Sequence, residues 1–407
     1  MTDNYTNEYN NQYIHKLDHK KIDTGNIFNA FAVAPYGLEE ELLYELQSIG
    51  FKNIIVEKSG CSFQANMLGI QYANLHLRIA SRILIQLKEQ EINTEKDILE
   101  LTYNINWQKW FSHKESIKIK TFAINSDLTS LQYCNLLVKD GICDYFRDKE
   151  NERPSVNKIN PDIRIYSFIK KKKLTLYLDT SGESLFKRGW RLNKGETPIK
   201  ENLASGILSL SKWEPNKTLL DPFCGSGTIL IEAYCIAASI PSGINRKFAF
   251  ENFKTHDVNQ WNNLIKESKE NIKNNIETEI IGCDIDKNSI EYAKQNLVRS
   301  GIETNKIRFI NANACDLKIN HSNGFIVTNP PYGIRTPSDD IWSSWAHNLK
   351  QNYFNWNVNI ISSDLLLPKK MRLKPIRKIP IFNGKLECRL FKFEIVKDSY
   401  RKIKNTV

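Results

Sequence analysis

The stretch Leu219-Leu-Asp-Pro-Phe-Cys-Gly-Ser-Gly-Thr-Ile-Leu-Ile-Glu-Ala233 decides the fold of this chain. It opens with an apolar run that ends in Asp221, as a buried strand does, and Gly225 and Gly227 then form a tight turn. From Thr228 onward the apolar residues recur with the spacing of a helix. Strand, glycine turn and helix begin a βαβ unit, in which the turn lets backbone approach a nucleotide-like ligand. The stretch therefore predicts an α/β domain with a ligand at this turn.

A second stretch, Phe325-Ile-Val-Thr-Asn-Pro-Pro-Tyr-Gly333, is another apolar strand and ends in Asn-Pro-Pro-Tyr. The structural alternative for this motif is a rigid turn at the end of a strand, and for the glycine turn it is an ordinary strand-to-helix connection. The two stretches together, in this order, resemble the S-adenosylmethionine-dependent amino-methyltransferases. That resemblance implies an exocyclic amine as the group to be methylated.

An amine target gives each residue of the second stretch a role. The Asn329 amide oxygen and the Pro330 carbonyl can accept hydrogen bonds from the two amine hydrogens, which aims the nitrogen lone pair at the methyl carbon. The prolines fix φ and stiffen the arrangement. Tyr332 offers a flat face to a flipped base, which is worth about 1–3 kcal/mol per stacked base. We predict Asn329, Pro330 and Tyr332 as catalytic residues, with no metal.

Further strands follow the glycine turn. The stretch Glu279-Ile-Ile-Gly-Cys-Asp-Ile-Asp286 is a strand that ends in acids, and Asp284 is suited to accept hydrogen bonds from both ribose hydroxyls. Asp221 and Asp284 are much further apart than the roughly 20 residues of a dinucleotide fingerprint. Residues 241–275 are therefore an expected insertion. Asn383-Gly384 joins two late strands in a hairpin.

The N-terminal half has an α+β pattern without the rhythm of a parallel sheet. We expect a helix from Gly69 to Arg82, because Ala73, Leu77 and Ala80 have helical spacing. Two alternating strands enclose the run Lys170–Lys173 and predict a hairpin. A solvated turn and an edge that contacts RNA phosphate are both open for this run.

The composition bounds the class of protein. The chain has 407 residues, enough for two or three domains, and a formal net charge of +11, which favours a polyanionic partner such as nucleic acid. Its eight cysteines form no Cys-x-x-Cys pair, so a zinc site is not expected. No apolar run reaches the roughly 20 residues that cross a bilayer, and no signal peptide opens the chain. We expect a cytoplasmic protein.

The resemblance extends over nearly the whole chain. The stretches that carry it are Asp179-Thr-Ser-Gly-Glu-Ser-Leu185, Lys187-Arg-Gly-Trp-Arg191, Glu196-Thr-Pro-Ile-Lys-Glu-Asn-Leu-Ala204 and Val138-Lys-Asp-Gly-Ile-Cys-Asp-Tyr-Phe146, with Arg153-Pro154 and Pro161-Asp162. They resemble the THUMP-domain RNA methyltransferases, and among them the bacterial 23S rRNA guanine-N2 methyltransferases. The implied fold is a class I (Rossmann-like) methyltransferase domain with a mostly parallel sheet and a C-terminal antiparallel hairpin, preceded by an α+β ferredoxin-like and THUMP region.

Residues 1–26 are polar, and we expect them to be a disordered or loosely attached tail. The resemblance implies the rest of the division: 27–65 is a ferredoxin-like segment, 66–180 a THUMP RNA-binding domain and 181–407 the catalytic domain.

S-adenosylmethionine is the implied cofactor, and RNA the implied partner. The candidate cofactor-binding residues are Thr197, Pro198, Asp221, Phe223, Gly225, Gly227, Asp284 and Asn313. The family usually has an acid at the adenine where Asn313 stands, and Asp316 is the less favoured substitute. For Thr197 and Pro198 a plain helix start is the alternative. The candidate RNA-binding residues are Lys139, Arg153, Lys171, Lys172 and Arg335.

The expected function is methylation of the N2 amine of a guanosine in 23S rRNA. The choice of guanine comes from the resemblance alone. Methylation of tRNA guanine N2 or of DNA adenine N6 stays open, because Asn-Pro-Pro-Tyr serves several amines. A non-catalytic RNA-binding factor in ribosome assembly is the alternative of a different class.

Overall fold

A computed structural model describes residues 18–126, 130–192, 199–331 and 339–396. The helices are α1 (His19–Ile22), α2 (Glu39–Ser48), α3 (Met67–His76), α4 (Glu95–Tyr103), α5 (Leu131–Glu150), α6 (Glu201–Leu210), α7 (Thr228–Ala237), α8 (Val258–Glu270), α9 (Lys287–Arg299), α10 (Asp339–Asn352) and α11 (Leu367–Lys370). The first seven strands are β1 (Phe28–Val33), β2 (Ile55–Glu57), β3 (Gly60–Ala65), β4 (Arg82–Glu91), β5 (Ile117–Ile124), β6 (Ile163–Lys170) and β7 (Lys173–Asp179). The other seven are β8 (Leu219–Asp221), β9 (Ile280–Asp284), β10 (Arg308–Asn311), β11 (Gly324–Thr328), β12 (Trp356–Ser362), β13 (Arg377–Asn383) and β14 (Leu386–Glu394).

The N-terminal half forms one continuous sheet in the order β2-β3-β1-β4-β7-β6-β5. Its neighbours are antiparallel except β5 and β6, which run parallel. The predicted lysine hairpin is present: Lys170 pairs with Lys173, and Lys171 takes a left-handed φ of 55° in the turn between them. Pairing of β4 with β7 joins the strands that precede α4 to the strands that follow α5.

The helix expected to run to Arg82 ends instead at His76, so that prediction was wrong at its C-terminal end. Leu77 is extended, and the backbone N–H groups of Arg78 and Ile79 donate to the Glu45 carboxylate at 2.6 and 3.0 Å. Burial raises the pKa of Glu45 to about 7. A buried carboxylate from another helix therefore takes the N–H groups that one more helical turn would have used.

The beginning of the described chain is packed rather than loose. Ile22 is 1% exposed within the hydrophobic core, and its carbonyl accepts the N–H of Asn66. This differs from the expectation that a disordered tail continues to residue 26; residues 1–17 lie outside the described part of the chain. Docking of an apolar side chain explains the difference, because burying Ile22 offsets the entropy lost by ordering the segment.

The C-terminal half forms the second sheet, in the order β10-β9-β8-β11-β12-β14-β13. The strands from β10 to β12 are parallel, and the hairpin of β13 and β14 is antiparallel to them. This confirms the predicted mostly parallel sheet with a C-terminal antiparallel hairpin. The strand β11 is buried at every position, which is why it reads as a continuous apolar run.

A buried ionic cluster joins the two halves. Glu232, 1% exposed on α7, accepts from Ser205 at 2.5 Å and from Arg188 Nε at 3.3 Å, and Arg78 Nη1 lies 3.6 Å away. Burial opposes ionisation, but the two guanidiniums outweigh it and hold the pKa of Glu232 below its usual value. The helix that follows the glycine turn is thus anchored to the N-terminal half through Arg78.

Among the described residues, no helix combines the length and the apolar character needed to cross a membrane.

Candidate active site

A cleft of about 430 Å³ opens where β8, β9 and β11 end. β8 lies between β9 and β11, so the strand order reverses there, and open α/β sheets bind ligands at such a point. The lining residues come from both predicted stretches, from the segment before α6, from the end of β9, from the segments that follow β9 and β10, and from α10: Arg191, Ile199, Asp221, Pro222, Phe223, Cys224, Gly225, Ser226, Thr228, Ile229, Asp284, Ile285, Asp286, Ser289, Asn313, Ala314, Asn329, Pro331 and Ile341.

The two glycines of the turn have different surroundings. Gly225 (φ 51°) has nothing within 4 Å of the position where a Cβ would stand, and it lines the cleft. Gly227 (φ 81°) would place a Cβ 3.0 Å from the Cβ of Ala293 on α9. Gly225 therefore leaves room for a ligand, whereas Gly227 allows two helices to pack closely.

Asp221 ends β8 and is 2% exposed. Its Oδ1 accepts from Thr328 Oγ1 at 2.6 Å and from the Phe223 N–H at 3.2 Å. Burial raises the pKa of Asp221 to about 7, against the effect of these two hydrogen bonds. The hydrogen bond from the Thr328 hydroxyl thus joins the end of β8 to the end of β11, directly before Asn329.

Asp284 ends β9 with both carboxylate oxygens held in place. Oδ2 accepts from the Gly225 N–H and Oδ1 from the Asp286 N–H, each at 2.9 Å. Burial raises the pKa of Asp284. Ile285 beside it lines the cleft and is 71% exposed, so an apolar surface is available next to the fixed acid.

Asn313 lines the cleft, and Asp316 is not among the lining residues. The Oδ1 of Asn313 accepts the Cys315 N–H at 2.9 Å, which fixes the orientation of the amide. The geometry therefore favours Asn313 over Asp316 as the polar group at this end of the cleft.

Asn329 follows β11, is half-buried and lines the cleft together with Pro331. Pro330 is buried and is not among the lining residues. The buried ring of Pro330 can stiffen the turn, and its backbone carbonyl is the group predicted to accept a hydrogen of the target amine. Tyr332 lies outside the described residues, as do Thr197, Pro198 and Arg335.

Phe223 completes the set of candidate cofactor-binding residues. It is half-buried, lines the cleft and packs edge-on against Trp345, with ring centroids 4.9 Å apart. Phe223 thus forms an apolar wall between the glycine turn and α10.

The described candidate RNA-binding residues lie on or just after α5 and in the turn between β6 and β7. Lys139, on α5, pairs with Asp140 at 2.5 Å, and Arg153 follows the end of that helix. Lys171 and Lys172 are exposed in the turn between β6 and β7. These candidates therefore come from different elements of the N-terminal half.

Arg191 was missed as a site residue. It belongs to the stretch Lys187-Arg-Gly-Trp-Arg191, which carries part of the family resemblance but has no spacing typical of a ligand site. Its side chain is 7% exposed and lines the cleft. Nothing in its spacing connects it to the glycine turn, because its approach to the cleft depends on the fold.

Three family models match the chain. A model described as RMKL-like, methyltransferase domain, matches residues 188–392. A THUMP domain model matches residues 93–179, and a model described as RlmL ferredoxin-like domain matches residues 29–84.

The chain is also similar to curated and to solved proteins. It is 36% identical over 371 residues to the ribosomal RNA large subunit methyltransferase K/L of Shewanella amazonensis, which covers 89% of this chain and 52% of that protein. The chain thus spans about half the length of the curated relatives it matches. SMU.472, a candidate methyltransferase crystallised in complex with SAH, is 29% identical with a TM-score of 0.84, over 92% of this chain and all of that one. A possible methylase from Clostridium difficile 630 is 30% identical with a TM-score of 0.83, over the same shares.

Proposed function

Because this chain belongs to the RMKL-like methyltransferase family, we propose that it transfers a methyl group to the exocyclic N2 amine of a guanosine in 23S rRNA. The family uses S-adenosylmethionine, which supplies a methyl carbon bound to a sulfonium. The rRNA substrate is supported by the name of the curated relatives and by the match to a THUMP domain. The net charge of +11 is consistent with a polyanionic partner.

The cleft fits this cofactor in size and in chemistry. Its volume of about 430 Å³ lies within the roughly 300–1,000 Å³ of small-molecule sites. Gly225 leaves open space in the wall where the ligand must come close to backbone. Asp284 would accept hydrogen bonds from the ribose hydroxyls, and Asn313 would meet the adenine. Asp221 would receive the α-ammonium group, which favours the ionised carboxylate.

Asn329 would orient the target amine. Its amide oxygen can accept one amine hydrogen and the Pro330 carbonyl the other, so the nitrogen lone pair points into the cleft. The Thr328–Asp221 hydrogen bond holds the start of this turn beside the cofactor wall. The amide is not a strong base, so its contribution is orientation, which can supply roughly 7–11 kcal/mol of a barrier. Tyr332 is proposed as the stacking partner of the base.

One observation supports this function above the others: Asn329 lines the same cleft as Gly225 and Asp284. The two predicted stretches are about 100 residues apart in sequence, and the parallel pairing of β8 with β11 brings their ends to the same edge of the sheet. A polar amide in the wall of the cleft is available to a substrate there, and a variant of Asn329 decides between that role and a rigid strand end.

The test combines the protein, labelled S-adenosylmethionine and 23S rRNA that lacks the modification. We expect label in one guanosine, recovered as N2-methylguanosine after digestion to nucleosides. Parallel reactions with tRNA and with DNA test the two alternatives. Label in a tRNA guanosine would indicate guanine-N2 methylation of tRNA, and label in a DNA adenine would indicate adenine-N6 methylation of DNA. Label in another nucleoside, or none in any nucleic acid, would refute the proposal.

If the protein is instead a non-catalytic RNA-binding factor, its cleft should not bind S-adenosylmethionine. Calorimetric titration with S-adenosylmethionine separates the two classes. Binding in the micromolar range supports the enzyme, whereas RNA binding without any cofactor binding supports the assembly factor.

A further inference from the structure

We propose that Arg191 forms a carboxylate-binding subsite in the cleft, where its guanidinium receives the α-carboxylate of the methionine part of the cofactor. The proposal rests on the proposed function, because it takes S-adenosylmethionine as the ligand. It adds a specific recognition element to a site for which the sequence predicted acids, glycines and amides only.

The polar atoms of Arg191 are only partly used. Nη1 donates to the Ile199 carbonyl at 2.5 Å and lies 3.6 Å from a Glu201 carboxylate oxygen. Nε and Nη2 are buried, and within the described part of the chain neither has a hydrogen-bond partner. The contact with Glu201 is made through Nη1, so it does not account for the other two nitrogens.

Burying such donors has a cost that a ligand would remove. A guanidinium stays charged in proteins, so it cannot avoid the cost by losing a proton. An unsatisfied buried donor costs about 1–3 kcal/mol, and more when the group is charged. Nε and Nη2 form one edge of the planar fork, and that edge matches the two oxygens of a carboxylate. The arrangement is what a bidentate carboxylate site requires.

The position of Arg191 selects the ligand. The side chain is nine-tenths buried and lines the cleft shared by Asp221 and Gly225, so an anion bound there must be a small group already inside the cleft. The backbone before it is held against α9, because the Trp190 carbonyl accepts from Arg299 Nε at 3.1 Å. Among the groups of the cofactor, only the α-carboxylate is anionic.

The charges of the cleft are complementary to the whole amino-acid part of the cofactor. Asp221 provides an acid for the α-ammonium group, and Arg191 provides a cation for the α-carboxylate. A zwitterion bound between them would pair Asp221 with the ammonium group and give the unused Nε and Nη2 donors of Arg191 a carboxylate, in addition to the Glu201 contact at Nη1.

The experiment compares two ligands in one variant. S-adenosylhomocysteine carries the carboxylate, and its decarboxylated analogue keeps the adenosine, the thioether and the ammonium group. We expect Arg191→Gln to bind S-adenosylhomocysteine about 10- to 100-fold more weakly by calorimetry, since charged hydrogen bonds have that magnitude. The affinity for the decarboxylated analogue should change less than about two-fold. Arg191→Lys should fall between, because an ammonium keeps the charge and loses the fork.

Two controls separate this role from a structural one. Arg308→Gln removes an exposed guanidinium from the same sheet and should leave both affinities unchanged. Melting temperatures of the unliganded variants report any loss of folding. If Arg191→Gln lowers the affinity for both ligands equally, or lowers neither affinity, the proposed carboxylate subsite is wrong. If the wild-type protein binds neither ligand, the cofactor assignment of the proposed function fails first, and the subsite falls with it.

Discussion

The two seven-stranded sheets of this molecule distribute their polar residues differently. In the C-terminal sheet the strands β8, β9 and β11 are parallel, so their carboxyl ends meet at one edge. Asp221, Asp284 and Asn329 therefore share a cleft although they are far apart in sequence. In the N-terminal sheet most neighbours are antiparallel, so successive strands end at opposite edges, and the basic candidates Lys139 and Lys171 come from different elements, α5 and the turn between β6 and β7.

This difference indicates that the function of the two halves should depend on single residues to different extents. Groups gathered around one cleft would serve one reaction, so removing one of them should have a large effect on that reaction. Charges spread over a surface add small, salt-dependent contributions to binding of a polyanion. Single substitutions in each half of the chain test whether the two halves differ in this way.

The largest effect is expected for Asn329→Ala. We expect methyl transfer to fall on the order of 1,000-fold, the scale seen when a preorganised hydrogen-bonding group is removed from an active site. RNA affinity should change less than about two-fold, because the amide acts on one amine only. The measurements are single-turnover methylation and filter binding of the same rRNA.

Asn357→Ala is the matched control, since Asn357 is an exposed residue of the neighbouring strand β12. It should retain both activities. Equal loss of methylation and of RNA binding in Asn329→Ala would contradict an orienting role and would favour the RNA-binding factor.

Two glycine substitutions, two residues apart, are expected to have opposite outcomes. Gly225→Ala should weaken binding of S-adenosylhomocysteine at least about 30-fold, because its Cβ enters the space proposed for the ligand. Gly227→Ala should mainly lower the melting temperature, because its Cβ meets Ala293 at 3.0 Å. Both variants carry a left-handed strain of about 1–2 kcal/mol. Calorimetry and thermal unfolding are measured on both variants. If Gly225→Ala and Gly227→Ala change the affinity and the melting temperature to the same extent, the different roles assigned to the two glycines are wrong.

The features predicted correctly were local ones. An apolar run that ends in an acid, followed by a glycine turn, located Asp221 and Gly225, because strand, turn and helix signals lie within about 15 residues. The lysine hairpin and the hairpin at Asn383-Gly384 were predictable for the same reason.

The features that were missed depend on contacts between distant segments. The end of α3 at His76 depends on Glu45, a residue of another helix. Arg191 lines the cleft from a segment whose contacts are with distant residues, such as the hydrogen bond from Arg299 of α9 to the Trp190 carbonyl. Pairing of β4 with β7 joins two segments into one sheet, and no pattern in either strand specifies that partner. The domain boundaries and the roles of the site residues stay predictions.

A smaller effect is expected from pH. Burial raises the pKa of Asp221 to about 7, so below pH 7 the carboxyl is mostly protonated and has no charge for the α-ammonium group. Affinity for S-adenosylhomocysteine should therefore fall about 10-fold from the plateau above pH 8 to pH 6, which is the expected size for one pH unit below a pKa. The measurement is calorimetry at several pH values.

The stability of the unliganded protein should change in the opposite direction. Since the folded-state pKa of Asp221 lies above its unfolded value of about 3.9, the contribution of this group is present below pH 4 and is lost as the pH rises to 7. Asp221→Asn should remove both trends. A pH dependence of affinity that persists in Asp221→Asn would assign it to another group.

The smallest effect is expected for the lysine turn of the N-terminal sheet. Lys171 and Lys172 are exposed between β6 and β7, and Gln keeps their length while removing the charge. Each substitution should weaken rRNA binding only about two- to five-fold and should lower the slope of log affinity against log salt by about 0.7–0.9, the loss of one phosphate contact. Lys96→Gln is the control, because Lys96 is 81% exposed and already pairs with Glu100 at 3.4 Å. Methylation at saturating RNA should be unchanged in all three variants. An unchanged salt slope would show that Lys170–Lys173 is a solvated turn, whereas complete loss of binding from one substitution would mean that the N-terminal sheet also concentrates its function at a single site.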